Sequence, residues 1–330
     1  MNDNEMYYRR IIPDELKQLL MTGGELHWLF KLVTERDDLD FLIGINKIYV
    51  YRGTTRLLAI AFTRGIVSIS ADRRYLGLAQ DNNLKIYGDK EKSDFNFEDD
   101  FIRLISCLPP NKHYDNKKEG YFQNLFSRQF GILSDGNEDF VVIDKEAVIG
   151  YQSNKIKGKY FGAQRKQFIE VKEHLSSQNA KKYGSKLGGE SLGNELDFLA
   201  VNRSGEILLI EFKYGSSTKG IYLSPIQIGL YCSIFHDYIN RYRQEFVRDI
   251  GDMIKQKKDM GLISTNFPEV NISDKIVPVL VIAKYKKSSA FDTFRSVLQI
   301  CREKLKDDAF LSGLKVYDYS TDKILKSISY

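Results

Sequence analysis

The sequence predicts a mixed α/β protein in two parts, an N-terminal β-rich accessory domain over residues 1–117 and a C-terminal α/β domain over residues 118–330. Three observations lead to this division. The chain of 330 residues is longer than one ordinary domain. Its first third holds closely spaced β-rich segments, and from residue 118 helical and strand patterns alternate. The hydrophobic fraction of 42% is sufficient for a substantial core.

The N-terminal part begins with a helical pattern over residues 13–32, which Gly23 and Gly24 interrupt. Short β-rich segments separated by turn-forming residues follow, and they predict an antiparallel meander of four or five strands with local pairing. These segments are residues 41–45, 47–53, 57–62, 66–70 and 83–88. A short helix over residues 101–108 ends at Pro109, and the polar segment 111–118 is the predicted boundary between domains.

The C-terminal part begins with a helix over residues 119–130, whose aromatic residues form one apolar stripe. Ser224 and Pro225 are typical of a helix start, with serine as N-cap and proline at the first helical position. The remaining predicted elements are strands 140–149, 195–201, 206–214 and 275–283, and helices 164–175, 224–240, 241–260 and 291–306. The predicted core order is therefore helix, three strands, helix, strand.

Positive charge is concentrated in one segment. Residues 1–117 carry 17 Lys and Arg against 18 Asp and Glu, whereas residues 152–189 carry nine against two. This basic insertion between two core strands is typical of a contact with a phosphate backbone, and a solvated lysine-rich loop is the alternative. The candidate nucleic-acid-binding residues are Lys155, Lys157, Lys159, Arg165 and Lys166.

Several classes of protein are disfavoured by the sequence. It contains no apolar run of about 18 residues and no signal-peptide pattern at its start, so we expect a cytoplasmic protein without a membrane partner. The three cysteines are scattered, which argues against a disulfide framework. The four histidines lack zinc-site spacing, and no Walker motif occurs.

Two acidic residues and a lysine occur where a buried hairpin is predicted. Asp197 lies in its first strand, and Glu211 and Lys213 share one face of the second because they are two residues apart. The turn at 202–205 can bring Asp197 beside Glu211, and neighbouring carboxylates of this kind suit Mg²⁺ or Mn²⁺. A lysine there could orient an attacking water or stabilise charge developing on a phosphate. The alternative is a strand-end ion pair between Glu211 and Lys213, with a surface aspartate.

The segment 197–213 resembles the signature of the PD-(D/E)XK nuclease superfamily, whose core has the helix, three-strand, helix, strand order predicted above. The resemblance covers about residues 118–284 and implies a restriction-endonuclease-like core. It further implies a metal ion held by Asp197, Glu211 and the backbone carbonyl of Phe212, with Lys213 assisting the nucleophilic water. Leu196 stands where the family name has proline.

Gln227 and Tyr231 resemble the Q-x-x-x-Y element of RecB-type nuclease domains, which implies a catalytic role for Gln227 and a secondary one for Tyr231. Their i, i+4 spacing places both on one face of a helix. A core glutamine near a helix start explains Gln227 equally well.

Further carboxylates are candidate metal ligands. Glu119 lies on the predicted buried face of the first core helix, where the superfamily often carries an acidic residue; the alternative is a glutamate stabilised by the helix dipole. Glu146 and Asp144 alternate on one face of strand 140–149, and either a metal site or a polar strand face explains them. Glu195 shares the face of Asp197 and has the same two interpretations.

The residues and the resemblance together predict an endonuclease that depends on Mg²⁺ or Mn²⁺ and hydrolyses phosphodiester bonds, with DNA as the expected substrate, in defence, restriction or repair. Two alternatives remain open. One is an RNA-directed or nucleotide-controlled effector nuclease, in which residues 1–117 bind a regulatory partner or form a homodimer. The other is an inactive nuclease fold that serves as a nucleic-acid-binding module.

Overall fold

The fold is mixed α/β, as predicted, and it contains two larger β-sheets. The computed structural model describes residues 4–88, 96–110, 114–178, 192–193, 195–286, 289–305 and 309–330. The chain divides into two compact units. The six-stranded unit comprises Met1–Tyr8, Asn137–Gly251 and Phe267–Tyr330, and the four-stranded unit comprises Arg9–Gly136 and Asp252–Asn266.

The elements up to residue 136 are, in chain order, β1 (Met6–Tyr7), α1 (Asp14–Leu20), α2 (His27–Glu35), β2 (Leu39–Gly44), β3 (Lys47–Arg52), β4 (Thr55–Thr63), β5 (Ile66–Ala71), α3 (Leu76–Asp81), α4 (Glu98–Ser106) and α5 (Glu119–Gln129). The elements that follow are β6 (Phe140–Ala147), β7 (Gly150–Tyr151), α6 (Asn154–Lys157), a π turn (Gly158–Gly162), α7 (Ala163–Gln178), β8 (Leu196–Asn202), β9 (Ile207–Tyr214), α8 (Thr218–Arg241), α9 (Arg243–Asp259), β10 (Ile276–Ala283), α10 (Ser289–Lys304), α11 (Ala309–Ser312), β11 (Lys315–Tyr319) and β12 (Leu325–Ser327). Along the described part of the chain, no helix is both long and apolar enough to cross a membrane.

The large sheet has the strand order β12-β11-β10-β9-β8-β6. Strands β6, β8 and β9 are antiparallel neighbours, β9, β10 and β11 run parallel, and β12 is antiparallel at the edge. Strand β10 is buried along its whole length, and so is β9 except for its last residue. This burial agrees with the near-continuous Val, Ile and Leu runs that parallel strands require. The centre of the sheet is therefore a place where a charged side chain needs a specific partner.

The small sheet is the antiparallel meander β2-β3-β4-β5, so the predicted local pairing is confirmed with four strands. The predicted segment 83–88 is not a strand. Its buried residues, Leu84 and Ile86, join the hydrophobic core of this unit instead. That core lies between the sheet and α1, α2 and α4.

Helix α5 belongs to the four-stranded unit, so the compact units do not divide at the predicted boundary of 117/118. The cause is a set of polar contacts on its buried face. The side chain of Asn124 donates to the carbonyl of Asp37 at 2.6 Å, and the hydroxyl of Ser127 donates to Asp40 at 2.6 Å. The sequence indicates the apolar stripe of this helix, but these long-range hydrogen bonds have no sequence signature.

Helix α8 begins at Thr218, six residues before the predicted N-cap, so the interpretation of Ser224 and Pro225 as a helix start is wrong. Both residues lie inside the helix. Proline at 225 has no N–H to donate to the carbonyl of Ile221 four residues earlier. The hydroxyl of Ser224 donates to that carbonyl at 2.8 Å, and this hydrogen bond replaces the missing one.

Candidate functional site

Asp197 and Glu211 face each other where the ladder between β8 and β9 ends. The last paired residues are Phe198 and Ile210, and Asp197 and Glu211 lie one position beyond on their strands. The carboxylate of Asp197 accepts a hydrogen bond from the backbone N–H of Phe212 at 2.7 Å. A side chain thus satisfies a backbone donor that strand pairing no longer reaches. The predicted juxtaposition of these two acidic residues is present in the structure.

The ammonium of Lys213 lies between the two carboxylates. Its Nζ donates to Oε1 of Glu211 in a short ion pair and lies 4.0 Å from Oδ2 of Asp197. The side chain of Glu211 is 3% exposed and that of Lys213 is 11% exposed. A carboxylate this deeply buried requires a nearby cation, because removing a charge from water is costly. In the structure the lysine provides that positive charge.

Strand alternation and a glycine position the lysine. Phe212 points to the opposite face of the sheet, where its ring meets Phe198 and Tyr319 at centroid distances of 6.0 and 6.2 Å. Glu211 and Lys213 therefore share the other face. A Cβ atom at Gly220, early in α8, would lie 2.6 Å from Oγ of Ser217 and 3.0 Å from the side chain of Lys213. Glycine at this position permits the close approach of helix and lysine, and sequence reasoning missed it.

Gln227 and Tyr231 lie on one face of α8, and both hold the backbone just before β8. The Gln227 amide and the Tyr231 hydroxyl donate to the carbonyl of Leu192 at 3.3 and 3.4 Å. Gly193 has a φ of +76°, and a Cβ there would lie 2.6 Å from the Tyr231 hydroxyl. A glycine is thus required on steric and conformational grounds. The two α8 residues position the chain that leads into Asp197, whereas a catalytic role for Gln227 stays a prediction.

The hydroxyl of Tyr231 remains protonated beside the carboxylates. Burial raises the pKa of Tyr231 well above its ordinary value, and the negative charges of Glu211 and Asp197 raise it further. A phenol in this state is a hydrogen-bond donor at any ordinary pH. Gln227 is also buried, and its Oε1 has no hydrogen-bond partner in the described residues. The site therefore combines a fixed donor with a buried amide oxygen.

The remaining carboxylates have different surroundings. Glu146 lies across from Asp197 in the register, between the pairs Lys145 with Phe198 and Ala147 with Leu196, and its φ of +49° is unusual for glutamate. Together with the register shift after Val142, it marks an irregular strand beside the site. Its role as a metal ligand stays a prediction.

Asp144 has a structural partner, because its Oδ2 accepts the hydroxyl of Tyr8 at 2.6 Å in a buried hydrogen bond. The side chain of Glu195 is exposed. Glu119 lies in the first turn of α5 and belongs to the four-stranded unit, so its assignment as a ligand stays a prediction.

The available donors suit a hard cation. Within the described ranges, no group of three or more His, Cys, Asp or Glu side chains could hold a metal ion. The candidate donors are fewer: the carboxylates of Asp197 and Glu211 and the carbonyl of Phe212. Mg²⁺ is commonly bound through one or two carboxylates, with waters and substrate phosphates completing its coordination. The chemistry of this all-oxygen set fits Mg²⁺ or Mn²⁺.

The basic segment begins on α6, the π turn and α7. Lys155, Lys157, Lys159 and Lys166 are exposed, whereas Arg165 is half-buried and its Nε lacks a hydrogen-bond partner in the described residues. The last three lysines of the basic segment, Lys181, Lys182 and Lys186, lie outside the described residues. A basic surface next to β7 is thus present, and its contact with nucleic acid stays a prediction.

Comparisons of the chain with protein-family models, with curated proteins and with solved structures found no match. The geometry of Asp197, Glu211 and Lys213 and the charges around them are the features of the chain that point to a function.

Proposed function

We propose that the chain is a metal-dependent nuclease that hydrolyses phosphodiester bonds, with DNA as the favoured substrate. The observation that carries the proposal is the convergence of Asp197, Glu211 and Lys213 in the middle of a hydrophobic sheet. Burial of Glu211 and Lys213 beside the partly buried Asp197 costs stability, so the presence of all three charges in one place favours a chemical role. The order of antiparallel β6, β8 and β9 followed by helix α8 and parallel β10 supports a restriction-endonuclease-like core.

The proposal gives each residue a role. Asp197, Glu211 and the carbonyl of Phe212 would hold Mg²⁺ or Mn²⁺, which when bound supplies positive charge to the scissile phosphate. Lys213, already held by both carboxylates, would orient the attacking water or stabilise negative charge on the phosphate. Tyr231 and Gln227 hold the backbone before β8 in place. Cleavage would then yield two ends, one of which keeps the phosphate.

A second candidate is a nucleic-acid-binding module without catalytic activity. The direct ion pair between Glu211 and Lys213 favours it, because such a pair also satisfies both charges without a metal ion. A controlled effector nuclease, with a regulatory partner or a second copy of the chain bound through residues 1–117, is compatible with the primary proposal. We propose a cytoplasmic location for either activity.

Incubation of the purified chain with plasmid, linear duplex DNA, single-stranded DNA and RNA tests the proposal. Each substrate is incubated with Mg²⁺, with Mn²⁺ and with EDTA. We expect cleavage of DNA with either metal and none with EDTA, because two neighbouring carboxylates need a cation to approach a phosphate. Binding without cleavage under every condition would favour the second candidate. Cleavage that EDTA leaves unchanged would contradict the proposed metal site.

The basic segment makes a separate prediction about affinity. Replacing Lys155, Lys157, Lys159, Arg165 and Lys166 together by glutamine is expected to weaken binding to duplex DNA. The log–log salt slope is expected to flatten by about 0.9 for each phosphate that the variant no longer neutralises. Turnover at saturating substrate is expected to change much less, since Lys213 and its carboxylates are untouched. A salt titration of DNA binding by fluorescence anisotropy measures both affinity and slope.

The matched control removes five exposed positive charges from the four-stranded unit, at Lys31, Lys47, Arg64, Arg73 and Lys85. It has the same change in net charge. An equal loss of affinity in both variants would indicate a general charge effect, and an unchanged slope in the first would contradict the assignment of these residues.

A further inference from the structure

Glu5, just before β1, makes contacts that are unusual for an exposed carboxylate. The hydroxyl of Tyr160 donates to its Oε2 in a short hydrogen bond, and Nζ of Lys159 lies 3.4 Å from the same oxygen. The guanidinium of Arg241 lies 4.6 Å from the centroid of the Tyr160 ring. The Nε of Arg241 donates to Asp237 at 2.9 Å. A hydroxyl and an ammonium thus contact one anionic oxygen, and a guanidinium stacks on the adjoining tyrosine ring.

The carboxylate of Glu5 is ionised at neutral pH. The hydrogen bond from Tyr160 holds the pKa of Glu5 below its ordinary value, and the positive charges of Lys159 and Arg241 act in the same direction. The group of donors therefore holds a full negative charge in this structure.

The same donors are typical of a phosphate site. Arginine, lysine and tyrosine side chains make many of the protein's contacts to phosphate oxygens in nucleic-acid complexes. Lys159 and Tyr160 lie on the π turn Gly158–Gly162, and such turns occur frequently at functional sites. This turn lies within the basic segment to which we assign the DNA contact.

We propose that Lys159, Tyr160 and Arg241 form a binding site for one backbone phosphate, and that Glu5 occupies this site until nucleic acid displaces it. The inference rests on the proposed function, because it names where the substrate backbone is held. Phosphate and the Glu5 carboxylate compete for the same donors, so the protein's own acidic residue lowers its affinity for nucleic acid.

The backbone around Glu5 is anchored, so displacement concerns the side chain. Met6 and Tyr7 pair with Tyr151 and Gly150, and the Glu5 carbonyl accepts the N–H of Gln152 at 3.1 Å. Met6 is buried, whereas the Glu5 side chain is 37% exposed. Rotation of that side chain into solvent frees the Tyr160 hydroxyl and the Lys159 ammonium, beside the exposed Arg241, without loss of the short strand pair.

The test measures binding of the full chain to fluorescein-labelled duplex DNA and to a labelled single-stranded RNA, in EDTA, so that cleavage does not interfere. Glu5→Gln is expected to tighten DNA binding roughly three- to ten-fold at low salt and to steepen the log–log salt slope by about 0.9. Adding Lys159→Ala or Tyr160→Phe to Glu5→Gln is expected to remove most of the gain, because the phosphate then loses a donor.

Glu170→Gln is the matched control, since it removes one exposed acidic charge from α7 in the same basic segment. An equal gain in DNA affinity in Glu170→Gln would show that the effect comes from net charge alone, and it would overturn the inference. Unchanged affinity in Glu5→Gln, with normal binding and cleavage by the wild type, would overturn the inference and leave the nuclease proposal intact. No binding and no cleavage by any variant would overturn both. If RNA alone gains affinity, the inference holds and the favoured substrate changes to RNA.

Discussion

Lys213→Met is expected to lower the rate of DNA cleavage by about a hundred-fold or more and to destabilise the six-stranded unit at the same time. The rate falls because a fixed positive group beside a reacting phosphate typically contributes a factor of about 10² to 10³. The stability falls because Glu211, at 3% exposure, loses the ammonium to which it is paired. Removing one partner of a buried ion pair costs about 3–5 kcal/mol of stability. Cleavage kinetics and urea unfolding of the same preparation measure the two effects.

The double variant Glu211→Gln/Lys213→Met separates chemistry from structure. Neither charge is then buried, so most of the lost stability should return, while cleavage should remain absent. A double variant that is stable and cleaves at the wild-type rate would show that the pair is only a structural ion pair. Glu206→Gln/Lys275→Met is the matched control, because that pair joins the starts of β9 and β10 with Lys275 largely exposed. We expect the control to change the free energy of unfolding by no more than about 1 kcal/mol and to leave the cleavage rate unchanged.

Short-range patterns in the sequence were sufficient to predict the hairpin that carries the site. The alternation of Glu211 and Lys213 around Phe212 follows from strand geometry, and the turn places Asp197 opposite Glu211. The ion pair between Glu211 and Lys213, which one of the two sequence interpretations expects, is present in the structure. Contacts between residues that are far apart in the chain could not be predicted from these patterns. Gly193 leaves room for Tyr231, which is 38 positions later, and only the folded backbone shows this requirement.

The predicted helix start at Ser224 and the predicted boundary at 117/118 also differ from the structure. Ser224 and Pro225 have the local chemistry of a helix start, yet the helix extends through them because the serine hydroxyl satisfies the carbonyl that proline cannot. Helix α5 has the periodicity of a core helix, and the periodicity does not say which core it belongs to. Its polar residues decide that question through hydrogen bonds to residues 33–40. Local pattern thus predicts an element's existence better than its tertiary partner.

Arg128→Met is expected to destabilise the four-stranded unit by about 3 kcal/mol or more. Arg128 is 2% exposed, and its Nη1 donates to the carbonyls of Val33 and Leu39 at 2.9 and 2.8 Å. Its Nη2 donates to the carbonyl of Thr34 at 2.8 Å. Val33 and Thr34 lie in the last turn of α2, whose carbonyls have no partner within the helix. The guanidinium therefore caps α2 and joins it to the start of β2 and to α5.

The size of the effect follows from what methionine leaves behind. Three carbonyls, two of them in buried hydrogen bonds, lose a charged donor, and each unsatisfied buried group costs about 1–3 kcal/mol. The favourable position of a cation at a helix C-terminus is lost as well. Arg128→Lys should restore only part of the stability, because one ammonium cannot reproduce the two-nitrogen geometry of the guanidinium.

Arg73→Met is the matched control: Arg73 is exposed in the same unit, and its loss should cost less than about 0.5 kcal/mol. Urea unfolding followed by hydrogen exchange locates the change, and α2 and α5 should lose protection together. If Arg128→Met unfolds at the same urea concentration as Arg73→Met, the guanidinium does not hold these elements together.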